Sequence, residues 1–147
     1  MRHTGGWIER AFRDLSVVEL YELLRLRSEI FVVEQCCPYL DPDGLDVVAT
    51  HLLLFRGGRL VACQRMLPPG ASWRESSLGR IAVDHGERGA GLGSQLVELG
   101  VEHNLETWPG HDIRIGAQAR LRGFYERLGF RVAGDRWVED GIPHLPM

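Results

Sequence analysis

A glycine-rich turn carries the residue types and the spacing that best suit binding chemistry. Gly89, Gly91 and Gly93 follow Arg88 and stand where an apolar helical pattern begins. Glycines let the backbone approach a ligand closely, and the free amides at a helix N-terminus carry a partial positive charge that attracts anions. Arg88 adds a charged hydrogen-bond donor at the rim. The turn therefore predicts a binding site for a phosphate-like group.

Three other interpretations of this turn stay open at this point. A nucleoside-triphosphate loop ends in Gly-Lys-Ser/Thr, but Gly93 is followed by Ser94 and Gln95 without a lysine. A dinucleotide fingerprint that starts at Gly89 needs a sixth-position glycine, where Ser94 stands, and it usually follows the first strand of a large parallel sheet. A flexible turn without a ligand is the third alternative, although three close glycines cost backbone entropy.

Composition and charge limit the class of protein. The chain has 147 residues, of which 44% are hydrophobic and 25% charged, and this suits one globular domain over residues 1–147. The formal net charge is −3 without a lysine or arginine run, so we expect no nucleic-acid partner. No stretch has the length of a membrane span, and residues 1–10 lack the apolar core of a signal peptide. We therefore expect a cytoplasmic protein without a membrane partner.

Neither a disulfide framework nor a metal site is expected. The three cysteines are Cys36, Cys37 and Cys63. Their odd number and spacing fit neither paired bridges nor zinc ligands, and we expect buried or half-buried free thiols, with a reactive thiol as the alternative. The aspartates of the following loop are Asp41, Asp43 and Asp46. They resemble part of a calcium loop, but Leu52 stands where its twelfth residue should be glutamate, so we expect them to form turns.

Apolar periodicity predicts the elements that must position the turn. Strands are expected over residues 10–15, 51–55, 59–66, 78–83, 112–116, 130–138 and 142–147, and helices over 16–30, from the glycine turn to 106, and over 119–128. Ser16 and Glu19 have the spacing of a capping box, and Gly57-Gly58 between two apolar runs indicates a hairpin. This order predicts an α/β domain with a mixed sheet and helices on both faces.

Two blocks of the sequence resemble the GNAT superfamily of acyltransferases. Residues 88–93 match the pattern Gln/Arg-x-x-Gly-x-Gly/Ala, and residues 118–130 resemble Asn-x-x-Ala-x-x-Leu/Phe-Tyr-x-x-x-Gly-Phe. Gln118 replaces the usual asparagine and keeps an amide for the pantetheine arm, while Leu121 replaces the usual alanine and narrows the groove. Residues 31–44, 116–119 and 139–144 resemble the ElaA-like branch of bacterial GNAT proteins.

The resemblance implies the GNAT fold, with a mixed, mostly antiparallel sheet, and transfer of an acetyl group from acetyl-coenzyme A to a primary amine without a metal. It also implies a set of coenzyme-binding residues, in which the turn amides hold the pyrophosphate and a strand backbone pairs with the pantetheine amides. These residues are Ile81, Ala82, Val83, Arg88, Gly89, Ala90, Gly91, Leu92, Gly93, Ser94, Gln118, Phe124 and Tyr125.

Tyr125 resembles the general acid of the family, which protonates the leaving thiolate. A tyrosine with an ordinary pKa of about 10 stays protonated at neutral pH and can donate a proton. The alternative role for Tyr125 is that of a core aromatic residue at helical spacing from Leu121 and Leu128. Phe124, next to it, suits packing as well as coenzyme contact.

The acceptor amine must lose its proton before it attacks. For a lysine-like amine this costs roughly 4.6 kcal/mol at pH 7, so a base is useful. Glu34 is the first candidate for the catalytic base and His144 the second, while His51 is a third; each also suits a structural role. By position in the family, residues 34–46 and 139–144 flank the acceptor, and their carboxylates would attract a cation.

A second class of function stays open, namely a non-catalytic module that binds or senses acyl-coenzyme A. A nucleotide-binding protein is a weaker third hypothesis, because the turn lacks the lysine. The sequence leaves open whether the acceptor is a small molecule, a peptide or a protein, and whether the chain is a monomer or a homodimer.

Overall fold

The computed structural model describes residues 6–147, which form two antiparallel sheets. The first sheet has the order β1 (Trp7–Ala11), β2 (Thr50–Arg56), β3 (Arg59–Leu67) and β4 (Ser77–Val83). The second has the order β5 (Gly116–Gln118), β7 (Ile142–Pro146) and β6 (Trp137–Glu139). A parallel bridge between Ser76 and Ile113 links the segments that precede β4 and β5. Beyond this bridge β4 and β5 do not pair within the described part of the chain.

Three α-helices accompany the sheets. They are α1 (Val17–Arg27), which continues as a wider π-helical segment (Ser28–Glu34), α2 (Leu92–Thr107) and α3 (Arg122–Arg127). The predicted capping box of α1 is confirmed: the amide of Glu19 donates to Ser16 Oγ at 3.0 Å, and the amide of Ser16 donates to Glu19 Oε1 at 2.9 Å. No helix within residues 6–147 combines the length and the apolarity that a membrane crossing requires.

The central strands bury side chains on both of their faces. On one face, residues of β2, β3 and β4 pack with the apolar stripe of α2: Leu52, Leu54, Ala62, Met66 and Leu78 with Leu92, Leu96 and Val97. On the other face, a second set of strand residues packs with α1 and the segment after it: Leu53, Leu60, Cys63 and Ala82 with Leu23, Leu26 and Ile30. The two sets follow the two-residue period of a strand, except where the register shifts of β2–β3 and β3–β4 exchange the faces. The predicted α/β sheet with helices on both faces is confirmed.

Three predicted strands differ from the observed ones. The first lies at residues 7–11 instead of 10–15, because Trp7 is the buried residue that pairs with Leu54 and residues 12–14 form a 3₁₀ turn. The strand predicted at 112–116 is observed only from Gly116 onward. That predicted at 130–138 is reduced to β6. Ala133 donates to the carbonyl of Pro146 at 2.8 Å, but proline has no amide with which to return the bond.

The aspartates of the loop before β2 form ion pairs with arginines of the core, and this corrects their prediction as turn formers. The resulting Arg–Asp cluster contains Arg27, Arg65, Arg80, Asp41, Asp43 and Asp46. Arg27 is fully buried and contacts Asp41 and Asp46, each at 2.8 Å. Arg65 contacts Asp43 at 2.6 Å and Asp46 at 3.0 Å. Asp43 also makes a side-chain turn contact, since its carboxylate accepts from the amide of Leu45 at 3.0 Å.

Replacing Gly100 of α2 with alanine is expected to destabilise the fold by about 1–3 kcal/mol, the usual cost of overpacking a core. A Cβ at this position would lie 2.5 Å from Nε2 of Gln64, which donates to the carbonyl of Leu96 at 2.7 Å. Gln64 is only 1% exposed, so its displacement would leave a buried amide without its partner. Urea unfolding of the variant and the wild type measures the loss.

Gly123→Ala in α3 is the matched control for this substitution. Its Cβ would meet only the end of the flexible Arg127 side chain, at 3.5 Å. Because alanine has the higher helix propensity, we expect Gly123→Ala to be at least as stable as the wild type. A Gly100→Ala variant of unchanged stability would contradict the prediction, since Gln64 would then have moved aside without cost.

Candidate active site

A cavity of about 730 Å³ lies where β4 and β5 diverge. Its walls come from the π-helical segment and the loop after it, β4, the glycine turn at the start of α2, the segment from β5 to α3, and the β6–β7 hairpin. This volume falls in the usual range for pockets that bury a small organic ligand or cofactor. The cavity therefore brings together segments that are far apart in the sequence.

The glycine turn opens onto this cavity. Gly89 and Gly91 have φ values of 89° and 80°, a left-handed conformation in which a side chain is strained. A Cβ at either position would meet nothing within 4 Å, so the space beside the turn is free. Gly91 is the N-cap of α2 and provides no side-chain cap for the first helical amides. These amides are therefore available to an anion.

Arg88 is held at the rim of the cavity by two contacts. Its Nη2 donates to Glu34 Oε2 at 2.7 Å, and its Nε donates to the carbonyl of Val83 at 3.2 Å. The other oxygen of Glu34 lies 3.8 Å from Nδ1 of His85. The carboxylate of Glu34 is thus already ion-paired, at the end of the cavity that carries the glycine turn.

Strand β4 contains a bulge beside the cavity. Between the pairs Cys63–Ala82 and Arg65–Gly79, β4 has one residue more than β3, so Arg80 and Ile81 fall outside the ladder register. Arg80 has a φ of 48°, which is uncommon for a residue with a side chain. Bulges are enriched near active sites because they redirect backbone and side chains.

Tyr125 is buried in the wall of the cavity. It is 7% exposed, and its ring makes edge contacts with Phe124 and Phe130, at centroid distances of 5.1 and 5.9 Å. Burial raises the pKa of the Tyr125 hydroxyl to about 12. The hydroxyl therefore keeps its proton throughout the neutral range and can act as a donor to a group in the cavity.

His144 has a geometry that suits a base. It lies in β7, opposite Gln118 of β5 and Trp137 of β6, and its ring stacks on that of Trp137 at 5.5 Å. Its Nδ1 lies 2.7 Å from the carbonyl oxygen of Ile142. Because a carbonyl only accepts hydrogen bonds, Nδ1 must carry the proton, and Nε2 of the neutral ring keeps a free lone pair.

Two polar contacts connect the segments that enclose the rest of the cavity. The amide nitrogen of Gln118 donates to Gln35 Oε1 at 3.3 Å, and its oxygen accepts from Arg120 Nε at 3.1 Å. The thiol of Cys37 donates to the carbonyl of Asp140 at 3.2 Å, which ties the loop after the π-helical segment to the β6–β7 hairpin. Cys37 and Cys63 are buried free thiols as predicted, whereas Cys36 is exposed.

Nearly all of the residues that the sequence predicts for the site line the cavity. Glu34, Tyr125 and His144 line it, and so do the expected coenzyme residues with one exception, Ala90, which lies in the turn but outside the lining. The third candidate base, His51, is fully buried away from the cavity, with Nε2 2.9 Å from the carbonyl of Asp46. Burial lowers the pKa of His51, and its role is structural.

Sequence reasoning missed several lining residues. Arg80, Tyr39 and Arg120 face the cavity, and none of them was assigned to the site. A signal for Arg80 was present, since it is the one charged residue in the strand sequence Leu-Gly-Arg-Ile-Ala-Val. Tyr39 and Arg120 stand in loop and turn positions where a polar or aromatic residue is ordinary.

The diverging sheets, the glycine turn at a helix N-terminus and the lined cavity define the class of acyl-coenzyme A N-acyltransferases. Residues 49–147 match the acetyltransferase (GNAT) domain family. The chain is 39% identical to Protein ElaA of Escherichia coli over 96% of its own length and 94% of that protein. It belongs to the GNAT acetyltransferase family and is a homologue of ElaA.

Solved structures agree with this assignment. The crystal structure of Escherichia coli ElaA superposes with a TM-score of 0.89 at 38% identity over 97% of both chains. An acyl-CoA N-acyltransferase from Pseudomonas aeruginosa gives a TM-score of 0.91 at 40% identity over 96% of both chains. A "predicted acetyltransferase with acetyl-CoA" from Clostridium acetobutylicum, 16% identical over 91% of this chain and 94% of its own, shares the fold with a TM-score of 0.65.

Proposed function

We propose that this protein transfers the acetyl group of acetyl-coenzyme A to a primary amine of a small molecule, a peptide or a protein. The observation that carries the proposal is that one cavity joins the uncapped start of α2, the diverging edge of β4 and Tyr125. The Clostridium structure with acetyl-coenzyme A, which shares the fold, supports the choice of acyl donor.

The residues that line the cavity fit the parts of acetyl-coenzyme A. The amides of residues 89–94 and the guanidinium of Arg88 would hold the pyrophosphate. The backbone of Ile81, Ala82 and Val83 would pair with the pantetheine amides, because β4 has no neighbouring strand on that side within residues 6–147. Gln118 and Phe124 would contact the arm near its reactive end. Acetyl-coenzyme A supplies a thioester, whose carbonyl carbon accepts the amine.

Two side chains would move the protons of the reaction. Nε2 of His144 takes a proton from the ammonium group, and the freed amine forms a C–N bond to the thioester carbonyl carbon. The C–S bond breaks, Tyr125 donates its phenolic proton to the departing sulfur, and the nitrogen of the new amide releases its second proton to solvent. Solvent then returns a proton to Tyr125 and removes one from His144. Glu34 is ranked below His144 as the base because its ion pair with Arg88 places it at the pyrophosphate end.

The acceptor would enter between residues 34–46 and the β6–β7 hairpin, the two segments that the Cys37–Asp140 bond connects. The Arg–Asp cluster changes the expected electrostatics here, because the arginines offset the charges of Asp41, Asp43 and Asp46. Glu139 and Asp140 are exposed at the cavity, and neither forms an ion pair within residues 6–147. These two carboxylates would attract a cationic acceptor.

Turnover tests the function directly. The wild-type protein should release free coenzyme A thiol from acetyl-coenzyme A in the presence of at least one member of a panel of small amines and lysine-containing peptides. Binding of acetyl-coenzyme A without turnover against any amine would favour the non-catalytic acyl-coenzyme A module instead.

Acetyl-coenzyme A is expected to stabilise the protein, and Gly91→Val is expected to weaken this effect. At a ligand concentration of 100 times Kd, binding should add about 2.7 kcal/mol to the free energy of unfolding. A valine at position 91 places its side chain where the phosphate approaches, so we expect Kd to rise about tenfold or more, equivalent to about 1.4 kcal/mol. Thermal shift as a function of ligand concentration measures both.

Gly110→Val is the matched control for backbone strain. Gly110 has a φ of 84°, a Cβ there would also meet nothing within 4 Å, and the residue lies outside the cavity. Both variants should lose stability, but only Gly91→Val should lose affinity. The absence of a thermal shift with millimolar acetyl-coenzyme A and folded wild-type protein would contradict the proposed coenzyme site.

A further inference from the structure

The side chain of Arg80 makes contacts on several sides, although its backbone is strained. Its Nε donates to Asp41 Oδ1 at 2.8 Å, and its Nη2 donates to the carbonyl of Asp41 at 3.0 Å. Its guanidinium also lies over the ring of Tyr39, 5.7 Å from the centroid, and 3.4 Å from Asp43 Oδ2. A left-handed conformation of a non-glycine residue persists only where the surrounding contacts hold it, and here these contacts do so.

Asp41 is the central residue of these contacts. It is 4% exposed, and one of its oxygens accepts from Arg80 and from the hydroxyl of Tyr39, at 2.8 and 2.9 Å. Its other oxygen accepts from the buried Arg27 at 2.8 Å. Asp41 thereby couples the bulge of β4 to the start of the π-helical segment, and its position is fixed by groups on three different segments.

The bulge can contribute to the reaction because it leaves backbone groups of β4 outside the ladder with β3. Arg80 and Ile81 have no register partner in β3, and both line the cavity. Ile81 is the first of the strand residues assigned to the pantetheine arm, and Arg80 directly precedes it. A backbone amide released from a ladder in this way can donate to a carbonyl oxygen that gains negative charge during acyl transfer. Such a donor is effective only when its direction is fixed before the reaction.

We propose that Asp41, with the hydroxyl of Tyr39, is a positioning residue for acyl transfer. Asp41 holds the Arg80 side chain and so keeps the β4 bulge in the conformation in which a backbone amide of the bulge points to the thioester carbonyl. This inference rests on the proposed acetyl transfer. Asp41 acts through Arg80 and does not itself touch the reacting atoms. Its removal should therefore affect the chemical step more than the binding of either substrate.

Asp46→Asn is the control that separates this role from stability. Asp46 belongs to the same Arg–Asp cluster and pairs with Arg27 and Arg65, but it does not line the cavity and forms no ion pair with Arg80 within residues 6–147. Asp41→Asn and Asp46→Asn should both lower the melting temperature, because each leaves a buried arginine with one ion-pair partner fewer. Only Asp41→Asn also releases the bulge.

The test is steady-state kinetics of the wild type, Asp41→Asn and Asp46→Asn below their melting temperatures, with the amine that the wild type acetylates best. We expect Asp41→Asn to lower kcat about 10- to 100-fold, the cost of a small misplacement of reacting groups. The KM for the amine and the Kd for acetyl-coenzyme A should change less than about twofold, within ordinary variation for an untouched site. Asp46→Asn should keep the wild-type kcat.

Arg80→Lys provides a second variant if Asp41→Asn does not fold. Lysine keeps the charge but cannot reproduce the two-point contact of the guanidinium with Asp41, so kcat should fall in the same way. An unchanged kcat in Asp41→Asn or Arg80→Lys, or an equal loss in Asp46→Asn, would overturn the positioning role while leaving the acetyl transfer intact. A wild-type protein that binds acetyl-coenzyme A but acetylates no amine would overturn both proposals.

Discussion

Replacing Tyr125 with phenylalanine is expected to lower turnover by roughly 10²- to 10⁴-fold, the usual contribution of a general acid. The substitution removes only the hydroxyl, and the ring contacts with Phe124 and Phe130 can persist. The Kd for acetyl-coenzyme A should therefore stay near the wild-type value. Thiol release at saturating substrates and thermal shift with acetyl-coenzyme A measure the two quantities separately.

The pH dependence of wild-type turnover provides an independent check on Tyr125. Because burial raises the pKa of this hydroxyl to about 12, it remains protonated from pH 6 to 9 and should cause no loss of activity at the alkaline end of that range. Tyr21→Phe, on the exposed side of α1, is the control and should behave as wild type. A Tyr125→Phe enzyme with full activity would leave Tyr125 as a packing residue only.

Replacing His144 with glutamine is expected to lower turnover at pH 7 by roughly 10²- to 10⁴-fold, because the amine then loses its base. Glutamine preserves a polar side chain of similar reach but has no nitrogen lone pair that can take a proton. Raising the pH should partly rescue the variant, since each unit increases the neutral fraction of a lysine-like amine about tenfold. Turnover from pH 6 to 9, with the exposed His111→Gln as control, tests this expectation.

Glu34→Gln distinguishes the two candidate bases. If His144 is the base, Glu34→Gln should keep the acidic limb of the turnover profile and should change mainly the Kd for acetyl-coenzyme A, because Arg88 loses its carboxylate partner. The opposite result, with the acidic limb lost in Glu34→Gln and retained in His144→Gln, would reverse the ranking and restore Glu34 as the base.

Features that depend on neighbouring residues were predictable from the sequence. The capping box of Ser16 and Glu19 and the β2–β3 hairpin at Gly57-Gly58 formed as expected, because each is decided by contacts across a few residues. The glycine turn also lies at the start of α2, since left-handed φ values there require residues without side chains. The resemblance of residues 88–93 and 118–130 to one family correctly indicated the fold.

Only the tertiary structure decided which charges are free and where the short strands end. Arg27 meets Asp46 across 19 residues, and Arg88 meets Glu34 across 54, so neither pairing leaves a local pattern in the sequence. The segment before β6 bonds to Pro146 of β7 through the amide of Ala133, and Pro146 cannot return this ladder bond. Arg80, in the bulge of β4, likewise meets Asp41 across 39 residues. Long-range pairing, which local periodicity does not encode, thus determined the electrostatics of the site.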